Sequence, residues 1–306
     1  MRIVSLLPSA TEIVCALGLR KSLVARSHEC DFPEDVAALP AVTRPRLEVG
    51  GSSREIHDRV TALARGADGV YALDVESIRA LSPTHVVTQA QCDVCAVGMA
   101  DVERALADWP GDPPAVTSLH PSDLSAVLDD IRRTGAFLGA GTAAERLIGR
   151  ITARLDAVDR RAAGAPRPRV ALLEWTDPLM GSGNWMPELV RIAGGEPVLG
   201  KAGRHSRWTS SEELEAADPD VIVVVPCGFE LGRAAAELRS LAREPRHREL
   251  RAFRSGRAYA ADGNAYFNRP GPRLADSAEI LAAILEDGGG GRGSSWLSAE
   301  AACASS

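Results

Sequence analysis

The sequence predicts an α/β protein of two parallel-sheet α/β lobes joined by a single long backbone helix. Short apolar runs alternate with helix-spaced segments through residues 1–120, give way to a stretch that is helical throughout, and resume after the Pro/Gly-rich junction Gly164-Ala-Pro-Arg-Pro168. Strand–helix alternation implies a parallel sheet covered on both faces. The halves also echo each other, since Glu76-Ser-Ile-Arg-Ala-Leu-Ser-Pro-Thr-His-Val-Val87 and Glu213-Leu-Glu-Ala-Ala-Asp-Pro-Asp-Val-Ile-Val223 both read as short helix, proline, strand. Four segments follow: an N-terminal α/β lobe 1–120, a helical connector 121–165, a C-terminal α/β lobe 166–287 and a disordered tail 288–306.

In order, residues 2–7 are an apolar strand, and Pro8 precedes Ser9-Ala-Thr-Glu12, a capping-box pattern opening a helix over 11–17 that Gly18 closes. Strands are predicted at 23–26, 85–88 and 115–119, and helices at 53–64, 76–82 and 99–108. Between 122 and 163, Leu124, Val127, Leu128, Ile131 and Leu138, then Leu147, Ile148, Ile151, Leu155 and Val158, recur three or four apart. Gly139-Ala-Gly141 splits that stretch, and its second piece can run about 20 residues, roughly 30 Å. Beyond 168, strands are predicted at 169–174, 219–225 and 258–260, and helices at 185–193, 210–216, 234–241 and 276–285. The polar, glycine-opened tail has the composition of a disordered segment.

Composition sets outer limits. The chain has 306 residues, 45% of them hydrophobic and 25% charged, as in ordinary globular proteins. A net charge of −6 with scattered Lys and Arg argues against nucleic-acid binding, and no apolar run approaches the roughly 18 to 20 residues of a membrane span. Residues 1–8 pass straight into a buried strand with no basic, apolar and small-residue leader, which predicts a cytoplasmic protein. A leader removed ahead of Met1 would instead place it in the periplasm or outside the cell. No nucleophile elbow, phosphate loop or dinucleotide fingerprint occurs.

Ligands of parallel sheets sit at the carboxyl ends of strands. That rule selects Pro8, Ser9, His28, Glu29, Gln91, Trp175, Phe229, Tyr266 and Phe267 on strand-end loops, with Trp185 and Trp208 beside C-terminal-lobe helices. Only 13 of 306 residues are Trp, Tyr or Phe, and their concentration in such loops suits a flat ligand. Ordinary packing is the competing account of each aromatic. Cys92-x-x-Cys95, in Thr88-Gln-Ala-Gln-Cys-Asp-Val-Cys-Ala-Val97, is a weak signal alone. With Cys30 in Ser27-His-Glu-Cys-Asp-Phe-Pro33 on a neighbouring strand end, it outlines a Zn or Fe site to which His28 or Glu29 could add a ligand.

Several ordered motifs resemble the class III solute-binding proteins, the cobalamin, haem and siderophore receptors of ABC importers. They are Ile3-Val-Ser-Leu-Leu-Pro-Ser-Ala-Thr-Glu-Ile13, Ser27-His-Glu-Cys-Asp-Phe-Pro33, Ile78-Arg-Ala-Leu-Ser-Pro-Thr-His-Val-Val87, Gly181-Ser-Gly-Asn-Trp185, Ala217-Asp-Pro-Asp-Val-Ile222 and Tyr266-Phe-Asn-Arg-Pro-Gly-Pro-Arg273. The resemblance spans nearly all of residues 2–286 and is greatest to the cobalamin-binding members. It implies two lobes on one long helix, a small-molecule ligand held between them, no catalysis, and an ABC transporter permease as partner, with Glu76 at the position of a docking acid. Three functions result: binding of a corrinoid such as cobalamin, or of another metallated tetrapyrrole; a cytoplasmic metalloprotein or metalloenzyme using Cys30, Cys92 and Cys95; or an importer receptor that has lost its leader.

Overall fold

The computed structural model describes residues 1–64, 69–90 and 96–304. They form two compact units: 1–51, 55–121 and 125–149 make the first, and 52–54, 122–124 and 150–306 the second.

In the first unit the elements run β1 (Ile3–Ser5), α1 (Pro8–Ala16), β2 (Leu23–Arg26), β3 (Thr43–Pro45), α2 (Ser53–Ala64), β4 (Tyr71–Leu73), α3 (Val75–Ala80), β5 (His85–Gln89), α4 (Met99–Leu106), β6 (Ala115–Leu119) and α5 (Leu124–Phe137). The main sheet has the order β2-β1-β5-β6, all parallel, while β3 and β4 form an antiparallel pair. Ile3 and Val87 on one face and Val4 and Val86 on the other are almost wholly buried, as expected of a sheet covered on both sides.

Helix α1 departs from the sequence reading. It starts at Pro8 with Leu7 as its cap, two residues before the predicted cap Ser9, and Ser9 makes no cap hydrogen bond. Proline is well placed there, since a first-turn N–H has no helical acceptor anyway. The other end follows the sequence: Gly18, at φ +83°, lets its N–H reach Cys15 O (2.9 Å) and that of Leu19 reach Val14 O (3.1 Å), the paired bonds of a Schellman close.

Helix α6 (Gly141–Ala162) is the predicted long helix, and the boundary between the units falls within it, at 149/150. Leu147, Ile151, Leu155 and Val158 form its buried stripe, and Arg154 holds Asp276 (2.6 Å) and Glu279 (2.8 Å).

The second unit continues with β7 (Arg169–Thr176), β8 (Leu179–Gly181), α7 (Met186–Ile192), β9 (Glu196–Val198), α8 (Ser211–Ala217), β10 (Val221–Val224), α9 (Leu231–Arg243), α10 (Pro245–Arg248), α11 (Arg251–Arg254), β11 (Ala258–Ala261), a π-turn over Gly263–Phe267, α12 (Leu274–Glu286), β12 (Trp296–Ser298) and α13 (Ala299–Ala304). Its parallel core is β11-β10-β7-β9, flanked by two antiparallel edge strands, β12 on β11 and β8 on β7. Ala171, Leu173, Ile222, Val224, Ala258 and Ala260 pack against Ala234, Ala235 and Leu238 of α9.

Residues 296–304, read from the sequence as part of a disordered tail, form a strand and a short helix. Strand β12 pairs with β11, Trp296 sets its ring edge-on against Tyr259 at 5.5 Å, and Ala302 joins the unit's core. A three-residue strand behind four glycines has no local signature; the exposed edge of β11 creates it.

Candidate ligand-binding site

Each sheet has one place where successive strands depart to opposite sides, and there the carboxyl-end loops diverge and leave a crevice. In the first unit that point lies between β1 and β5, so Pro8 and Ser9 follow one strand directly. Thr88 Oγ1 donates to Val97 O (2.7 Å) and Gln89 Nε2 to Ala96 O (3.2 Å). The chain after β5 is thereby brought back to the strand end it left. Gln91, Cys92 and Cys95 lie outside the described residues.

The loop after β2 holds His28, Glu29 and Cys30. His28 is half-buried; its Nδ1 stands 2.7 Å from Thr43 Oγ1 and its ring packs tilted on Tyr71 at 5.4 Å. Burial and then the Arg26 charge push its pKa below the usual histidine value. Tyr71 donates to Glu29 Oε1 at 3.4 Å. Cys30 is buried, and its sulfur accepts a hydrogen bond from Thr11 Oγ1 at 3.0 Å. Among the described residues no group of three or more His, Cys, Asp and Glu side chains could hold a metal ion, so the three-cysteine site depends on Cys92 and Cys95.

In the second unit the divergence lies between β7 and β10. Trp175, at the end of β7, donates Nε1–H to Ser53 O (3.2 Å) and Asp177 O (3.1 Å) and meets Phe229 edge-on at 5.2 Å. The Arg233 guanidinium lies 3.7 Å from the Phe229 ring centre, within cation–π range. Tyr266 in the π-turn is half-buried, with Arg273 at 5.4 Å from its ring centre and its oxygen accepting from Ser295 Oγ at 3.3 Å. Trp208 is 52% exposed. Trp185 and Phe267 take another role: Trp185 Nε1–H bonds the Phe267 carbonyl at 3.0 Å, and the Phe267 ring has 0% exposure. Both are interior residues, Trp185 at the start of α7 and Phe267 at the end of the π-turn.

Several residues escaped the sequence reading. Glu174 precedes Trp175 and is almost fully buried; its carboxyl group accepts the Gly183 N–H (3.0 Å) and the Ser206 hydroxyl (2.8 Å). Burial raises its pKa from 4.5 to about 7 against the pull of those two bonds. An acid within an eight-residue apolar strand was the available signal. Gly183 is required beside it, because a Cβ there would stand 2.4 Å from Ser206 N and 2.5 Å from Arg204 O. Ser53 donates to Glu237 Oε2 at 2.7 Å, Thr176 donates to the same oxygen, and the two hydroxyls are 3.0 Å apart. Those bonds join residues 61 apart or more, and nothing in the local pattern announces them.

At the second unit's strand ends Phe229 is buried against Trp175 and Arg233, whereas the half-buried Tyr266 ring, with Arg273 beside it, leaves aromatic surface next to a guanidinium group. The sequence matches the periplasmic binding protein family over residues 3–265. None of the curated proteins matches the chain. Among solved structures, the periplasmic haem-binding protein RhuT of Roseiflexus sp. RS-1 is 25% identical with a TM-score of 0.69, over 94% of this chain and 98% of that one. An ABC transporter substrate-binding protein of Listeria monocytogenes EGD-e is 19% identical, TM-score 0.70, over 94% and 98%. The periplasmic vitamin B12 binding protein BtuF of Vibrio cholerae is 21% identical, TM-score 0.65, over 93% and 96%.

Proposed function

We propose that this chain, which belongs to the periplasmic binding protein family, is a non-catalytic carrier of a corrinoid or another metallated tetrapyrrole. The observation that carries the reading is the second unit's strand-end surface, where the half-buried Tyr266 ring lies beside Arg273. Aromatic rings contribute stacking area to a flat macrocycle, and guanidinium groups donate to the carboxylate or amide arms that such macrocycles carry at their edges. The haem and vitamin B12 proteins that share the fold support the same class. Glu76, exposed in the first turn of α3, is the proposed contact for a transporter permease. Among the described residues no helix is long and apolar enough to cross a membrane.

Titration with hydroxocobalamin and with haemin, followed by tryptophan quenching, tests the reading. Saturable quenching by either, weakened about five- to tenfold in Tyr266→Ala, is the expected result; that factor corresponds to the roughly 1 kcal/mol of one aromatic contact. Quenching by neither would sink it.

A further inference from the structure

Three neighbouring parallel strands of the second unit begin side by side, so the residues just ahead of them collect in one place. For β7, β10 and β11 these are Pro168, Asp220 and Arg257, and all three line one cavity of about 500 Å³, within the range of small-ligand sites. It lies at the amino ends of the strands, the opposite end of the sheet from the loops that carry Phe229 and Tyr266. Arg167 and Arg251 add two more guanidinium groups to its walls.

The charges there do not balance. Arg251 is already neutralised, by Asp218 at 2.9 Å and Asp220 at 2.7 Å, and the other Asp220 oxygen accepts the Arg169 N–H at 2.9 Å. Arg167 and Arg257 donate only to neutral carbonyls, that of Arg191 at 3.3 Å and that of Leu285 at 2.9 Å, and neither forms an ion pair among the described residues. The nearby Asp287 carboxylate is occupied by the Tyr259 hydroxyl (2.8 Å) and by the N–H groups of Gly289 (3.1 Å) and Gly291 (3.2 Å). Arg257 is half-buried, and its Nε is fully buried with no hydrogen-bond partner among the described residues. Buried polar groups are ordinarily met, and a desolvated cation without a counter-charge is stabilised by an incoming anion.

We propose that this cavity binds a small organic phosphate, with the phosphate held by Arg167 and Arg257 and the organic part against Pro166 and Leu285, which also line the wall. Two guanidinium forks match the oxygens and the double charge of a phosphate monoester, whereas one carboxylate leaves a guanidinium group unmatched. The site stands apart from the carrier reading, because it belongs to the second unit alone and uses none of the residues at the carboxyl ends of the strands.

Calorimetric titration of the full chain with phenyl phosphate, inorganic phosphate and benzoate tests it, at pH 8 and at low ionic strength because salt screens exposed charges. Phenyl phosphate should bind saturably at one site, with inorganic phosphate weaker and benzoate at least tenfold weaker. Arg167→Gln and Arg257→Gln should each weaken phenyl phosphate by about tenfold, the scale of one charge-assisted hydrogen bond, and Arg167→Lys should recover part of the loss. Arg257→Gln also loses its bond to Leu285, so circular dichroism checks its fold; Arg167 is exposed, and its variants decide the matter even where the Arg257 variant misfolds. No saturable binding of phenyl phosphate, benzoate binding as tightly, or an affinity that Arg167→Gln leaves unchanged would each overturn the phosphate site.

Discussion

Replacing Glu174 with glutamine should alter how stability depends on pH, in a direction fixed by the burial of this carboxyl group. Its folded pKa, about 7, lies above the ordinary 4.5. Between those values the folded protein keeps a proton that the unfolded chain has released, so stability falls as pH rises. The contribution is complete below pH 4.5 and gone above about pH 7. Across that window it amounts to about 3 kcal/mol, at about 1.4 kcal/mol per pH unit. Glutamine does not titrate, and it can accept the Gly183 N–H through its oxygen while its amide donates to Ser206. Urea unfolding of both proteins at pH 5 and pH 8, read by tryptophan fluorescence, isolates the group as a difference of differences. The glutamine variant should gain roughly 3 kcal/mol on wild type between the two values. An unchanged gap, or a wild type that gains with rising pH, would show that the carboxylate is ionised and comfortable on its two donors, and the burial argument would be wrong.

Trp185→Ala should lower stability by about 3 to 5 kcal/mol, the usual cost of removing a buried aromatic ring, whereas Tyr266→Ala should cost little stability and act on macrocycle affinity; equal stability losses in the two would contradict their assigned roles. In a Cys92→Ser/Cys95→Ser background, the exposed Cys227 and Cys303 should react with a thiol reagent in the folded protein. Cys15, whose thiol burial pushes up to about 11, should react slowly at pH 8, and Cys30 only on unfolding; fast labelling of Cys30 would refute its packing under Thr11. Ser210→Ala removes the side chain that accepts the Glu213 N–H at the start of α8 and should cost about 1 kcal/mol, measurable as a lower urea midpoint. Truncation before Trp296 uncovers the edge of β11 and the Tyr259 ring, so it should destabilise the second unit; unchanged stability would show that β12 adds nothing.

The sequence by itself determined the class of the fold, the strands at 23–26 and 115–119, the helix at 53–64 and a long helix of about 20 residues opening just past Gly141. Those features follow from local rules: apolar runs of strand length, repeats of three and four, and glycine or proline at the stops. Tertiary structure decided which aromatics face outward, because whether Trp185 points at solvent or at the Phe267 carbonyl depends on the π-turn beyond β11, about 80 residues away. It also decided the tail strand, which exists by virtue of an edge built elsewhere, and the partner of His28, a hydroxyl from β3, a strand too short to announce itself. Periodicity records which way a residue points within its own element. The partner it meets there is fixed by how distant segments pack, and a buried carboxyl group such as Glu174 has no meaning until that partner is in place.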